Sequence, residues 1–352
     1  MVALAMSNDT QPPVNLFAAQ QDLLRERLRL LFTTLYPLLR ADVVRVLEEE
    51  GKLLAKPPAD AIAVRPSGSW ALLTMLVAEH IDPDIDPSRV SGVAIAVECF
   101  VCALDLLDDV EDEDQTPGIQ ALGVARALNV ATALLMLAQQ AILSSSQQAV
   151  PPERILSLLD TLQASALIAS AGQHRDLLAE QRAAQELTLE ECIEIAAGKA
   201  GALMRLACRL GALCAGADDV VCEHFSELGE LLGIAHQLDN DAHDLYDLLQ
   251  SETSAVSPTK AENITRNVKT DLVRQKKTLP VVLAARTKSS FQEASALDDK
   301  EKVEEHLRAL HEGIIATWGI CLLYRERARD RLRMIEDQRP LAPALRFLLD
   351  LY

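Results

Sequence analysis

What most constrains this chain is the spacing of its apolar residues, which recur every three to four positions and nowhere alternate. Nine stretches carry the pattern: Leu23–Leu39, Ala71–Glu79, Ala94–Leu107, Ala125–Ala138, Ile155–Leu177, Leu189–Leu213, Phe225–Leu249, Leu279–Ala285 and Val303–Tyr324. Recurrence at that spacing lines one face of an α-helix, so the pattern predicts an all-α protein. Breakers stand between the stretches at Pro57-Pro58, Pro66-Ser67-Gly68, Pro83 with Pro87, Pro117-Gly118, Pro151-Pro152 and Gly216. Leu and Ala dominate and aromatics are only 3%, with no composition shift to mark a second domain. Residues 1–15 read as a disordered N-terminus and residues 16–352 as one helical domain. The polar stretch Ser251–Thr270 lacks apolar periodicity and is expected to be a functional loop.

The net charge of −18 argues against a nucleic-acid partner and against a polybasic membrane patch, since both need concentrated basic surface. The first residues lack the positive segment of a secretory signal. The longest apolar run, Ala125–Ala138, carries Arg126, Asn129 and Thr132 and reads as too short to span a bilayer, so no stable membrane insertion is expected. Seven scattered cysteines, including the Cys99/Cys102 pair one helical turn apart, suit buried thiols in a reducing cytoplasm.

Two acidic clusters end apolar helices. The first is Asp105-Leu-Leu-Asp108-Asp109-Val-Glu111-Asp112. Its Asp105, Asp108, Asp109 and Asp112 share one face, a self-repelling stripe that a divalent cation would relieve. Hard oxygen donors of this kind suit magnesium. The second is Gln237-Leu-Asp239-Asn240-Asp241-Ala-His243-Asp244, with Gln237, Asn240, Asp241 and Asp244 on one face. Lys199 lies between glycines, and Lys276-Lys277 precede Thr278-Leu279-Pro280. Carboxylates with magnesium, together with lysines, stabilise negative charge on a departing diphosphate.

Taken in order, these segments resemble the polyprenyl synthetase family, the trans-prenyltransferases of the isoprenoid synthase fold, from about Glu79 to Leu283. Glu98 precedes Asp108-Asp109-Val-Glu-Asp112, which is similar to the family's first DDxxD motif. Gly172-Gln173-His-Arg-Asp176 resembles GQxxD, and Lys199-Ala-Gly201 resembles KTG. Gly233-Ile-Ala-His-Gln237 with Asn240-Asp241-Ala-His-Asp244 resembles GxAFQxxDDxxD, with Asn240 in place of the first aspartate. Lys276-Lys277-Thr-Leu-Pro280 resembles GKKTLP.

The resemblance implies an isoprenoid synthase-type helical bundle around a central cavity, acting as a cytoplasmic homodimer. It implies three magnesium ions per site, held by Asp108, Asp109, Asp112, Asn240, Asp241 and Asp244. It implies an allylic prenyl diphosphate (C15 or C20) bound by Lys199, Lys276, Lys277, Gln173 and Gln237. An apolar lining is expected near Ala103, Leu104 and Leu203, and Ser251–Thr270 would close over the mouth. Asp108, Asp109, Asp112, Lys199 and Lys276 would carry the ionisation.

Two departures bear on function. Chain-extending members carry cations in a GGKRxRP-like segment; here the corresponding residues are Pro66-Ser67-Gly68-Ser69-Trp70-Ala71, with Arg65 nearby. The arginines expected beyond DDxxD are also absent, since Glu113 to Gly118 contains none. Each charge-assisted hydrogen bond contributes about 1.5–3 kcal/mol, so a second diphosphate would bind poorly. The expectation is therefore a terpene synthase that ionises the allylic diphosphate and cyclises or quenches the cation, with His236 as a candidate base and Trp70 filling the vacated subsite. The alternatives are a chain-extending farnesyl- or geranylgeranyl-type diphosphate synthase, a prenyltransferase to another acceptor, and a non-catalytic subunit.

Overall fold

The computed structural model describes residues 16–49, 52–55, 66–145, 150–253, 276–287 and 300–352. Among these every regular element is helical. The chain divides into two compact units: residues 1–159, 210–217 and 341–351 form one, and residues 160–209 and 218–340 with Tyr352 form the other.

In the first unit α1 (Ala18–Phe32) and α2 (Pro37–Glu49) replace the single run expected over Leu23–Leu39. Pro37 lacks an amide proton and keeps Tyr36 out of helical geometry, so the chain restarts there. Then come α3 (Ser69–Ile81), α4 (Pro87–Glu111), α5 (Pro117–Leu122) and α6 (Val124–Ser144), with α13 (Pro343–Leu349) joining from far along the chain and packing on α3. α4 begins where Asp86 accepts the Ser88 amide at 2.9 Å, with Pro87 in the first turn. It is apolar on every side and buried almost continuously from Val90 to Ala103, packed against α3 and α6. Cys99 and Cys102 are buried thiols within it.

Among the described residues, three helices are by length and composition alone apolar enough to cross a membrane: α4, α6 and α7 (Pro152–Glu180). This corrects the expectation that no apolar run is long enough, because helix geometry extends each run past its flanking polar residues. In α4, 83% of the apolar window is already buried inside the protein.

The second unit takes the rest of α7, then α8 (Leu189–Ala196) and much of α9 (Ala202–Ala215), whose last residues belong to the first unit. α10 (Asp219–Thr253), α11 (Leu279–Thr287) and α12 (Lys300–Gln338) complete it. Ala242, Leu245 and Leu249 of α10 meet Val281 and Ala284 of α11 and Leu310 and Ile314 of α12. A second cluster joins Ala235 and Leu238 to Leu279, Val282 and Cys321. α10 thus fixes its acidic face by burying the opposite one. It runs to Thr253, into the expected loop; residues 254–275 lie outside the described residues, as do residues 1–15.

Candidate active site

In the first unit the acidic residues occupy the last turns of α4. Asp112 is the C-cap, and Glu113 follows with φ of 58°, the left-handed geometry usually taken by glycine. The Asp114 amide returns to the Asp109 carbonyl at 2.8 Å, and that of Glu113 to Val110 at 3.3 Å, closing the helix tightly. Asp109 Oδ2 accepts from Thr116 Oγ1 at 2.9 Å, while Asp108 is half-buried on the same face. Ala103 is wholly buried in the core and Leu104 half-buried.

Asp105 departs from the expected stripe. Its carboxylate pairs with Lys52, a residue the motif comparison passed over. Lys52 opens a turn over residues 52–55 that three neighbours hold in place. The Leu53 amide donates to Glu98 Oε1 at 2.7 Å, and Arg25 Nε donates to the Leu53 carbonyl at 3.0 Å. Gly68, at φ of 73°, lies so close that a Cβ there would meet Leu53 Cδ1 at 2.5 Å. Burial alone would lower the Lys52 pKa, but Asp105, aided by Cys102 and Glu98, holds it above the usual lysine range. Glu98 is itself pushed up by burial, against Lys52 and the Leu53 and Ala71 amides. Ser67, Gly68 and Trp70 supply no cation, yet Lys52 brings a charge to the acidic end of α4 from further upstream.

In the second unit the lysine comes from a helix defect. α8 begins with a capping box, Thr188 Oγ1 accepting the Glu191 amide at 3.0 Å and Glu191 Oε2 accepting the Thr188 amide at 2.8 Å. It then runs into a π-type turn, Ala197–Gly201, where Lys199 leaves helical geometry (φ −91°, ψ −110°). Such insertions recur at functional sites. The turn fits only because Gly172 of α7 and Gly198 touch backbone to backbone: a Cβ on Gly198 would stand 2.7 Å from the Gly172 Cα. Lys199 Nζ thereby donates to Gln173 Oε1 and to Asp176 Oδ2, each at 2.7 Å.

On α10, Gln237 Nε2 donates to Asp241 Oδ1 at 3.0 Å. Burial pushes the Asp241 carboxyl up to about 7; Asp176 adds to the rise, while the Gln237 hydrogen bond, Lys199 and Lys276 oppose it. Asn240, next to Asp241, and Asp244, one turn after it, are exposed, and Lys276 and Lys277 are half-buried. Asp239, off this face, pairs with Arg325 at 3.0 Å. His236 is buried, its ring edge against Tyr352 and its Nε2 3.4 Å from Asn240 Nδ2. Gln173, Asp176, Lys199, Gln237, Asp241 and Lys276 thus form one electrostatic group. Asp176, which closes the GQxxD-like segment, joins the site through Lys199 although the sequence does not mark it as a site residue.

Among the described residues no three His, Cys, Asp or Glu side chains converge as a ready metal cage. The donors on both acidic faces are carboxylate and amide oxygens, which fit a hard cation that keeps water and substrate oxygens in its shell.

The polyprenyl synthetase family model matches residues 65–313. The geranylgeranyl diphosphate synthase of Mycobacterium tuberculosis is 31% identical over 232 residues, covering 64% of this chain and 61% of that protein. The chain therefore spans about six tenths of that relative's length. The geranylgeranyl diphosphate synthase of Methanosarcina mazei is 27% identical over 278 residues, 75% of this chain and 78% of that one. Among solved structures, geranylgeranyl pyrophosphate synthetase from Pyrococcus horikoshii superposes with a TM-score of 0.72 at 22% identity, covering 96% of each chain, a likeness of fold.

Proposed function

Because the chain belongs to the polyprenyl synthetase family, we propose that it is a chain-extending prenyltransferase that joins an allylic prenyl diphosphate to isopentenyl diphosphate, releasing pyrophosphate and a farnesyl- or geranylgeranyl-length diphosphate. This replaces the cyclising reading drawn from the sequence. That reading rested on a second diphosphate finding no cation; Lys52 supplies one near the acidic end of α4 and so supports the chain-extending choice. The synthase names of the M. tuberculosis and M. mazei relatives support the same choice. In this reading residues 16–352 act as one catalytic domain, as a homodimer in the cytoplasm without stable membrane insertion.

Asp108, Asp109 and Asp112, with Asn240, Asp241 and Asp244, are assigned to three magnesium ions. When bound, the metal offsets negative charge growing on the leaving diphosphate. Lys199 is preset for the same charge, since Gln173 and Asp176 fix its ammonium before substrate arrives. Lys276 adds a second cation, and Gln237 holds Asp241 in place. Lys277 is assigned a supporting contact to the diphosphate. Ala103 and Leu104 are assigned to the prenyl-chain side of α4, and Ser251–Thr270 to closure.

The deciding experiment supplies magnesium, C5, C10 and C15 allylic diphosphates and radiolabelled isopentenyl diphosphate. Label is expected in a longer prenyl diphosphate. Pyrophosphate with an unlabelled hydrocarbon or alcohol would restore the terpene synthase.

A further inference from the structure

Asp105 stands one helical turn before Asp108, where it should join the metal-binding face, yet its carboxylate is committed to Lys52. The two partners are unequal. The Lys52 side chain is 14% exposed and that of Asp105 is 43% exposed. The lysine's turn is held by Glu98, Arg25 and the close approach of Gly68, none of which involves Asp105. The backbone that carries the lysine therefore stays put whether or not Asp105 is there, while the carboxylate, the more exposed partner, is the member able to turn outward to water.

Resting on the chain-extending reading above, we propose that Asp105 is an internal counter-ion that occupies Lys52 until isopentenyl diphosphate displaces it, and so sets the affinity for that substrate. A diphosphate carries two to three negative charges against the single charge of Asp105, so it wins the exchange at a fixed cation. The exchange is not free. Breaking the existing pair weakens apparent binding, as any competing intramolecular state does.

The test compares Asp105→Asn, Lys52→Met and the double variant for KM toward each substrate, with calorimetric binding of isopentenyl diphosphate alone as a second readout. Asp105→Asn should lower both the KM and the Kd for isopentenyl diphosphate by about three- to tenfold, the scale of a partly buried ion pair. The KM for the allylic substrate should not fall. In the Lys52→Met background the same change should have no effect. An unaltered isopentenyl diphosphate affinity would overturn the proposal, as would a gain that persists without Lys52. A raised magnesium requirement would return Asp105 to the metal face and overturn it too. Should the wild-type protein incorporate no isopentenyl diphosphate, the chain-extending reading fails on its own. Tighter calorimetric binding by Asp105→Asn would then still support the counter-ion, and equal or absent binding in both proteins would refute it.

Discussion

Lys199 and Lys52 solve one problem by opposite means. Each carries a cation to acidic residues on a neighbouring helix, from backbone that is not α-helical. Lys199 sits in a defect within a helix, and two glycines meeting backbone to backbone leave it no other place. Lys52 sits in a short turn tied down by two hydrogen bonds and one packing contact. The first arrangement is rigid and has Gln173 and Asp176 as partners that also belong to the site. The second leaves its partner half in water. The difference suggests a division of labour: the rigid lysine serves the bond-breaking step, where preorganisation matters most, and the tethered one serves binding.

Removing charge from the two regions should break this comparison most visibly. Lys199→Ala is expected to lower kcat at least about a hundredfold, as is Asp108→Ala on the first acidic face. Lys52→Ala should act chiefly on KM for isopentenyl diphosphate. Similar kcat losses for both lysines, measured by pyrophosphate release, would erase the distinction. Rigidity is probed by glycine. Gly198→Ala forces a Cβ onto backbone and should cost about 2–3 kcal/mol in urea unfolding. Gly68→Ala meets the end of the Leu53 side chain, with its Cβ and Cα at 3.1 and 3.3 Å, and adds left-handed strain, about 1–2 kcal/mol in all.

The Asp241 carboxyl gives a pH signature in the second region. Its folded value near 7 lies above the ordinary 3.8, so between those values the native state holds more protons than the unfolded chain. Stability of the metal-free protein should therefore fall as pH rises from about 4 to about 7, by at most about 1.4 kcal/mol per pH unit, and level off above. Asp241→Asn should remove that slope when unfolding midpoints are compared in a chelator. The smallest effect belongs to the end of α4. Glu113→Gly should raise stability by about 1 kcal/mol or less, because glycine takes the left-handed residue without strain. A loss of stability there would mean that the Glu113 side chain has a partner worth more than the strain.

The helical class and the first acidic helix end were legible in the sequence because each depends on residues three or four apart in one helix; the second acidic face lies within α10, which continues to Thr253, and Lys199 takes its partners from α7. Lys52 was not legible, since nothing local connects residue 52 to residue 105; the glycine–lysine pair after the acidic end of α2 was the one available hint. The diversion of Asp105 was hidden for the same reason. Periodicity placed it on the stripe, and a residue from another element took it off. The reach of α4 was misjudged from Ala94, because Pro87 reads as a breaker although it is an ordinary first-turn residue.

The first unit is assembled from pieces far apart in the chain, and this bears on how the protein is made. Its last helix, α13, buries Leu345, Leu348 and Leu349 and sets Phe347 against Phe17, with ring centroids 6.0 Å apart. As the polypeptide leaves the ribosome, residues 1–159 emerge with those partners still unsynthesised. The apolar surface on α1 and α3 must wait, exposed, until residues 343–349 have been made. The nascent chain is then a natural client for a chaperone that shields helices, and a pause in translation before Pro343 lengthens its exposure to aggregation.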